Sequence, residues 1–273
     1  MLFLVAQFSL SAQTMTARLI LDDMYAAFSK LKRYSYEMSS KERFGSKYLE
    51  KEMLFKINES PKKVYAKDKI EGVEIMYVQG WNNNKVYINP NGFPWTNLSF
   101  EVSSSRVREE SHHLLTTAGF AFTEKLLRRT EQEIKTNNRK LEEFFTYMGD
   151  TEFDGRPCYK LFMEYKDYRW KNHTVAKDQD LAALCMELGV PEFAVKERNN
   201  LDYGKVRAGK TIQVPSAYAK KVVFFISKQS KLPLVQLLYD DKDLYEKYEY
   251  RNMQINPSFP ADEFTENCSS YGF

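Results

Sequence analysis

The chain has 273 residues, of which 43% are hydrophobic and 28% charged, and a formal net charge of +3. That length suits one large domain or a domain carrying an inserted module. The near-balanced charge, with no dense Lys/Arg run, argues against a nucleic-acid partner, and nothing in the composition implies a cofactor.

The opening stretch, MLFLVAQFSLSAQT, holds an apolar run too short to span a bilayer. Ser11 and Ala12 precede Gln13 as at a signal-peptidase site, although no basic residue opens the stretch. Residues 1–13 are therefore expected to be a secretory signal, against the alternative of a buried first helical turn. The mature chain is expected to be periplasmic or secreted and not membrane-spanning. From residue 16 to 32, Ile20, Met24, Ala27, Phe28 and Leu31 recur at helical spacing, and Thr16 suits the N-cap.

From Tyr34 the period changes to two. Tyr34, Tyr36 and Met38 alternate with Ser35, Glu37 and Ser39, and Met53, Phe55 and Ile57 follow the same rule. Ile75 and Tyr77, Val86 and Ile88, and Leu98 and Phe100 continue it, with turns at Ser60-Pro61, Asn82-Asn83-Asn84 and Asn89-Pro90-Asn91-Gly92. The aromatic content of 15% fits such strands. The prediction is an antiparallel meander with one apolar and one wet face.

Residues 111–135, SHHLLTTAGFAFTEKLLRRTEQEIK, predict a helix broken at Gly119. On it, adjacent His112 and His113 point in different directions, so one exposed and one buried histidine is expected rather than a zinc site. Strands resume at Phe144, with Tyr159, Leu161, Met163 and Tyr165 on one face. Val222–Ile226 is apolar on both faces and reads as a strand covered on both sides. Tyr248 and Tyr250 alternate with Lys247, Glu249 and Arg251, which places one side in water. The many Asp and Glu are expected on wet strand faces. Of three cysteines, Cys185 shares a helical stripe with Leu181, Leu184 and Leu188. Cys158 and Cys268 are left as a possible pair, with nothing in the sequence to bring them together.

Between two of these strands lies HTVAKDQDLAALCMELGVPEFAVKERNNLDYGKVRAGKTIQVP, from His173 to Pro215. Thr174-Val175, the Gly189-Val190-Pro191 turn, Arg198-Asn199-Asn200-Leu201 and the run from Arg207 to Pro215 predict strand, helix, helix, strand. In that order they resemble a LysM domain, a module that holds peptidoglycan or chitin. The resemblance implies a glycan groove formed by Asp178, Gln179, Asp180 and Leu181 with Leu201, Asp202, Tyr203, Gly204, Lys205 and Val206. Asp178-Gln179-Asp180 replaces the family's Gly-Asp-Thr turn, which narrows or blocks that groove; the alternative is a purely structural insert.

The KQSKLPLVQLL hairpin and the YEYRNMQINPSFPADEF ending resemble the periplasmic lipoprotein-carrier superfamily (LolA/LolB-like), in a branch of undefined function. The resemblance covers most of residues 17–167 and 219–265 and implies an incomplete barrel that binds acyl chains. The expected fold is α+β: an antiparallel half-barrel sheet cupping helices, with a small βααβ LysM-like module inserted. The expected domains are 14–170 with 217–273 for the half-barrel and 171–216 for the insert. Tyr36, Met38, Phe55, Tyr77, Tyr159 and Met163 are candidates to line a lipid cavity, or else fill the core. No Gly-x-Ser-x-Gly, His-Glu-x-x-His or phosphate loop is present, so no catalytic or metal residue is assigned and the chain is not expected to be an enzyme. The expected function is an exported envelope protein that binds an apolar or acylated ligand and docks to peptidoglycan. The alternative is a protein-interaction scaffold in envelope assembly.

Overall fold

The structure is a computed structural model and describes residues 15–273. The expected signal segment, 1–13, lies outside those residues. The first helix, α1 (Ala17–Phe28), precedes six strands: β1 (Arg33–Phe44), β2 (Lys47–Asn58), β3 (Lys63–Asp68), β4 (Glu74–Val78), β5 (Val86–Asn89) and β6 (Leu98–Phe100). A crossing segment carries a single turn, α2 (Ser105–Arg108), and leads into α3 (Phe120–Thr136). Two more strands follow, β7 (Phe145–Phe153) and β8 (Arg156–Glu164). Small elements come next: β9 (Trp170–Thr174), β10 (Gln179–Asp180), α4 (Leu181–Leu188), α5 (Glu192–Arg198), β11 (Lys205–Val206) and β12 (Thr211–Pro215). Three strands close the order: β13 (Lys221–Ser227), β14 (Pro233–Tyr239) and β15 (Leu244–Ile255).

Eleven strands form one antiparallel sheet in the order β6-β5-β4-β3-β2-β1-β15-β14-β13-β8-β7. Its two edges, β6 and β7, do not meet, so the sheet is open. The architecture is α+β, with α1 and α3 packed on one face, here called the inner face. Period two fixes which residues that face receives. Tyr34, Tyr36, Phe55, Ile57, Val64, Leu161, Phe224 and Tyr250 all join a single core with Ile20, Leu21, Met24 and Phe28 of α1. Each of those four α1 side chains, at most 5% exposed, contributes about 1.5–3 kcal/mol of burial. The Thr16 hydroxyl accepts from Leu19 N–H at 3.3 Å as the N-cap. α1 ends four residues short of the expected 32 because Asn256 Oδ1 takes Lys32 N–H at 2.8 Å and Arg33 N–H at 3.2 Å, which turns the chain into β1.

The expected helix over 111–135 begins only at Phe120. Gly119 has φ +98°, and a Cβ there would overlap the Tyr34 hydroxyl. That hydroxyl accepts from Phe120 N–H at 3.2 Å and so satisfies one free donor of the new helix. Residues 111–119 instead cross the inner face as an extended segment with one short 3₁₀ turn, Leu115–Thr117. β13 also differs from expectation. Val222, Phe224 and Ile226 are buried, while Val223 and Phe225 are only partly covered, so its outer side is not sealed.

On the outer face the chain's last residues cover β2 to β5. Tyr271 stacks on Tyr65 at 3.7 Å, Phe273 on Tyr87 at 5.3 Å, and Gly272 N–H donates to Glu74 at 2.7 Å. β8 and β13 are hydrogen-bonded neighbours, with Glu164 opposite Lys221. Residues 165–220 therefore leave the sheet and return to the same place. Within that excursion β9 pairs with β12 antiparallel, from Trp170 opposite Pro215 to Thr174 opposite Thr211. Leu181, Leu184, Cys185, Val195, Ile212 and Val214 form a second core, separate from that of the sheet.

Candidate functional site

Between the inner face, α3 and the crossing segment lies a hollow of about 430 Å³, within the range of roughly 300–1,000 Å³ usual for ligand pockets. Most of its wall is apolar: Tyr36, Met38, Phe55 and Tyr250 from the sheet face Leu115, Phe122 and Leu126. Exposed Glu71, Arg106, Glu109 and Glu110 also line it and mark where it opens to solvent.

One end of the hollow is ionic. Along β1 the inward series Tyr36, Met38, Ser40 continues to Glu42, and along β15 Tyr250 and Tyr248 continue to Glu246. All of these line the hollow. Glu42 and Glu246 stand directly opposite in the β1–β15 register and are 6% and 0% exposed. His112 joins them. Its backbone N–H donates to Glu42 Oε2 at 2.8 Å, its Nδ1 lies 2.9 Å from Glu246 Oε1, and its Nε2 lies 3.0 Å from the Arg43 carbonyl. Both ring nitrogens thus face oxygen atoms, which fixes the imidazole between Glu246 and the β1 backbone. His113 Nε2 lies 3.3 Å from Glu246 Oε2 and 3.3 Å from the Tyr218 hydroxyl. Tyr218 donates to Glu246 at 3.1 Å, and Tyr248 donates to Glu42 at 2.6 Å.

The electrostatics follow from these contacts. Burial works against a charge on Glu246, but His113 and His112 outweigh it and bring its pKa down to about 2. Burial likewise opposes a charge on His113, and Glu246 more than compensates, so its pKa lies above the usual imidazole value. Burial, reinforced by the Glu246 and Glu42 charges, pushes the Tyr218 and Tyr248 phenols up, which keeps them as donors. The sequence reading missed this cluster. It put the carboxylates on wet faces, whereas Glu42, Asp68, Glu74, Glu246 and Glu263 are all buried. It also put the two histidines on a helix with divergent side chains. In the extended crossing segment both reach one carboxylate. Among the described residues no group of three or more His, Cys, Asp or Glu has the geometry of a metal site.

The same cluster holds the insert in place. Phe193 of α5 stacks on the His112 ring at 4.7 Å and 16°, and Tyr245 stacks on it at 4.6 Å and 24°. Phe193 also meets Phe44 edge-on at 4.7 Å. Arg108, 0% exposed, donates through Nη2 to Glu192 at 2.7 Å and to the His112 carbonyl at 3.0 Å. Its Nε and Nη1 have no hydrogen-bond partner among the described residues. His113, Phe122 and Tyr218 wall the hollow on one side and a small crevice under α4 on the other. The insert is thus one layer of side chains away from the hollow.

Four of the six residues expected at a lipid cavity, Tyr36, Met38, Phe55 and Met163, line the hollow. The other two do not. Tyr77 is buried on β4, and Tyr159 lies under the Lys228 and Lys231 ammonium groups. The two loops expected to frame a glycan groove meet: Gln179 is opposite Val206 and Asp180 opposite Lys205, and Leu181 N–H donates to the Gly204 carbonyl at 2.7 Å. Much of that set has internal work. Leu181 and Val206 are buried, and Leu201 packs on the insert's core. Asp178 accepts from Ala208 N–H and Asp180 from Ala182 N–H. Tyr203 lies under Arg108 and Lys196. Asp202 and Lys205 are exposed and Gln179 partly so. Cys158 and Cys268 are free and buried, one on β8 and the other in the tail near Tyr65, so the possible pair does not form.

A family model described as "Protein of unknown function (DUF1571)" matches residues 31–182. No curated protein sequence matches the chain. Among solved structures, LprF from Mycobacterium bovis is 11% identical with a TM-score of 0.45, over 91% of this chain and 97% of that one. MucB is 10% identical with a TM-score of 0.42, over 92% of this chain; the chain spans 63% of MucB's length. A putative outer membrane lipoprotein-sorting protein domain from Vibrio parahaemolyticus is 10% identical with a TM-score of 0.36, over 92% and 98%.

Proposed function

The chain belongs to the family of proteins of unknown function DUF1571, and we propose that it is an exported envelope protein that holds an apolar or acylated ligand in its hollow. The observation that carries this reading is a hollow of about 430 Å³ with aromatic and aliphatic walls, open at one side and ionic at one end. An amphiphile suits it: chain against Tyr36, Met38 and Phe55, head near Glu246. We divide the chain into the sheet domain, 14–170 with 217–273, and the insert, 171–216. We further propose that the insert is a LysM-like module that docks the protein to peptidoglycan through Gln179, Asp202 and Lys205, the members of the expected groove whose side chains are least engaged internally. We place the protein in the periplasm or outside the cell as part of the same proposal; no described helix is long and apolar enough to cross a membrane.

Native mass spectrometry after gentle purification tests the ligand half. A co-purified lipid supports it, and an empty hollow that takes up no added lipid counts against it. Sedimentation with purified sacculi tests the docking half. Retention no greater than that of a chain lacking residues 172–216 removes the peptidoglycan assignment and leaves a structural insert.

A second reading, a protein-interaction scaffold, is favoured by one surface. Phe93 and Trp95 are 86% and 82% exposed in the β5–β6 loop, and Ile70 is 76% exposed in the β3–β4 turn. Asn91 Nδ2 donates to the Glu71 carbonyl at 2.9 Å and ties the two loops together. Exposed aromatics so grouped are of the kind that partners cover. Co-purification of stoichiometric protein with an empty hollow selects this reading.

A further inference from the structure

We propose that the hollow selects an amphiphile with an uncharged, oxygen-bearing head, such as an acyl ester, an amide or an alcohol, and that His113 reads that head. This rests on the ligand-holding reading above and names the ligand class.

The ionic end is already balanced. All four oxygens of Glu42 and Glu246 accept from protein donors, supplied by His112, His113, Tyr218 and Tyr248. A carboxylate or phosphate head would face both buried acids and, at the mouth, exposed Glu71, Glu109 and Glu110; of the cations there, Lys51 is paired with Glu110 and Arg106 stands exposed to water. An ammonium head would find both acids engaged and His113 beside them. At the buried ionic end either charged head would lose its water without gaining a free counter-ion.

His113 has capacity left. Its Nε2 is held by Glu246 and Tyr218, while Nδ1 has no partner among the described residues. Its side chain is 24% exposed and lines the hollow. The ring is fixed by Phe122 at 5.3 Å and 71° and Tyr248 at 5.7 Å and 64°, both edge-on, with Tyr218 stacked at 18°. The free nitrogen is thus preorganised. A carbonyl accepts from it when the ring is charged, the state Glu246 favours in spite of burial. A hydroxyl pairs with it in either state.

The test is displacement of N-phenyl-1-naphthylamine from the whole protein, at one pH, by monoolein, oleamide, oleate and oleylamine, which share one chain. Monoolein and oleamide are expected to displace the probe at concentrations roughly tenfold lower than oleate and oleylamine, as one extra buried hydrogen bond and an avoided charge would give. His113→Leu should erase that preference and His113→Gln should keep part of it, each normalised to the variant's own affinity for the probe. Equal displacement by all four, preference for a charged head, or an unchanged preference in His113→Leu overturns the inference and leaves an unselective lipid site. Absence of binding by the probe and by every lipid overturns both this inference and the ligand-holding reading. If His113→Leu does not fold, the wild-type ranking and His113→Gln decide.

Discussion

Glu42 and Glu246 face each other across β1 and β15 with both carboxylates buried on the inner face. Like charges opposite one another in a sheet are destabilising, and here two imidazoles and two phenols offset them. The partners are unequal. Glu246 takes both histidine rings, while Glu42 takes a backbone N–H and a tyrosine hydroxyl. Glu246→Gln therefore leaves charged imidazole without a buried counter-charge and is expected to cost about 3–5 kcal/mol. Glu42→Gln removes a repulsion, keeps one acceptor and should cost about 1–2 kcal/mol. Urea unfolding of the two variants checks the ranking; equal costs would mean that the histidines are not held by Glu246.

The same groups set a pH profile for stability. Glu246 is ordinarily near 4.5 and is brought to about 2 in the fold. Its contribution, on the order of 3 kcal/mol, is complete above about 4.5 and is lost as pH falls through about 2. His113 moves the other way. Its folded pKa lies above 6.5, so its contribution is complete below that value and is lost as pH rises through the folded pKa. Tm should therefore be highest between about pH 4.5 and 6.5. In His113→Gln the decline above that window should shrink; melting curves across the series that keep it unchanged would place the titrating group elsewhere.

Phe193 joins the insert to the sheet through His112 and Phe44. Phe193→Ala is expected to cost about 3 kcal/mol and to raise hydrogen exchange across 176–209 before it does so in the sheet. Uniform exchange in all regions would show that the insert does not open separately.

Arg108 and Glu192 form the buried ion pair of that junction. Arg108→Met alone leaves Glu192 buried without its cation and should cost about 3–5 kcal/mol. Adding Glu192→Leu should recover most of the loss. A double mutant no more stable than Arg108→Met contradicts the pairing.

Filling the hollow is expected to separate ligand binding from folding. Leu126 lines it from α3 and is only partly buried. Leu126→Trp should weaken fluorescent-probe binding by roughly tenfold or more, with Tm changed by no more than a few degrees. Unchanged binding would put the probe outside the hollow.

Regular patterns were readable where one rule governed a stretch. α1 and the strands carrying Tyr34, Tyr36, Phe55 and Ile57 follow their periods, because sheet burial and helix burial repeat at two and 3.6 residues. The ionic end was not read, although its signal is there. Extending the inward parity of Tyr250 and Tyr248 by two residues reaches Glu246, and that of Tyr36, Met38 and Ser40 reaches Glu42. A charge that continues an apolar face is the mark of a built site. His112 and His113 were misplaced because Gly119 acts as a helix start, and only the Tyr34 hydroxyl, 85 positions away in sequence from Gly119, decides that. The junction at Phe193 is likewise a contact between distant segments, with no local trace.

The three cysteines fall one to each part of the molecule: Cys158 in the sheet, Cys185 in the insert and Cys268 in the tail over the outer face. Each thiol is shielded, and burial further suppresses the thiolate of Cys158 and Cys185. Alkylation at each position then waits on a local opening, so the unmodified protein carries three clocks. Their relative rates would tell the order in which tail, insert and sheet come apart, without a mutation.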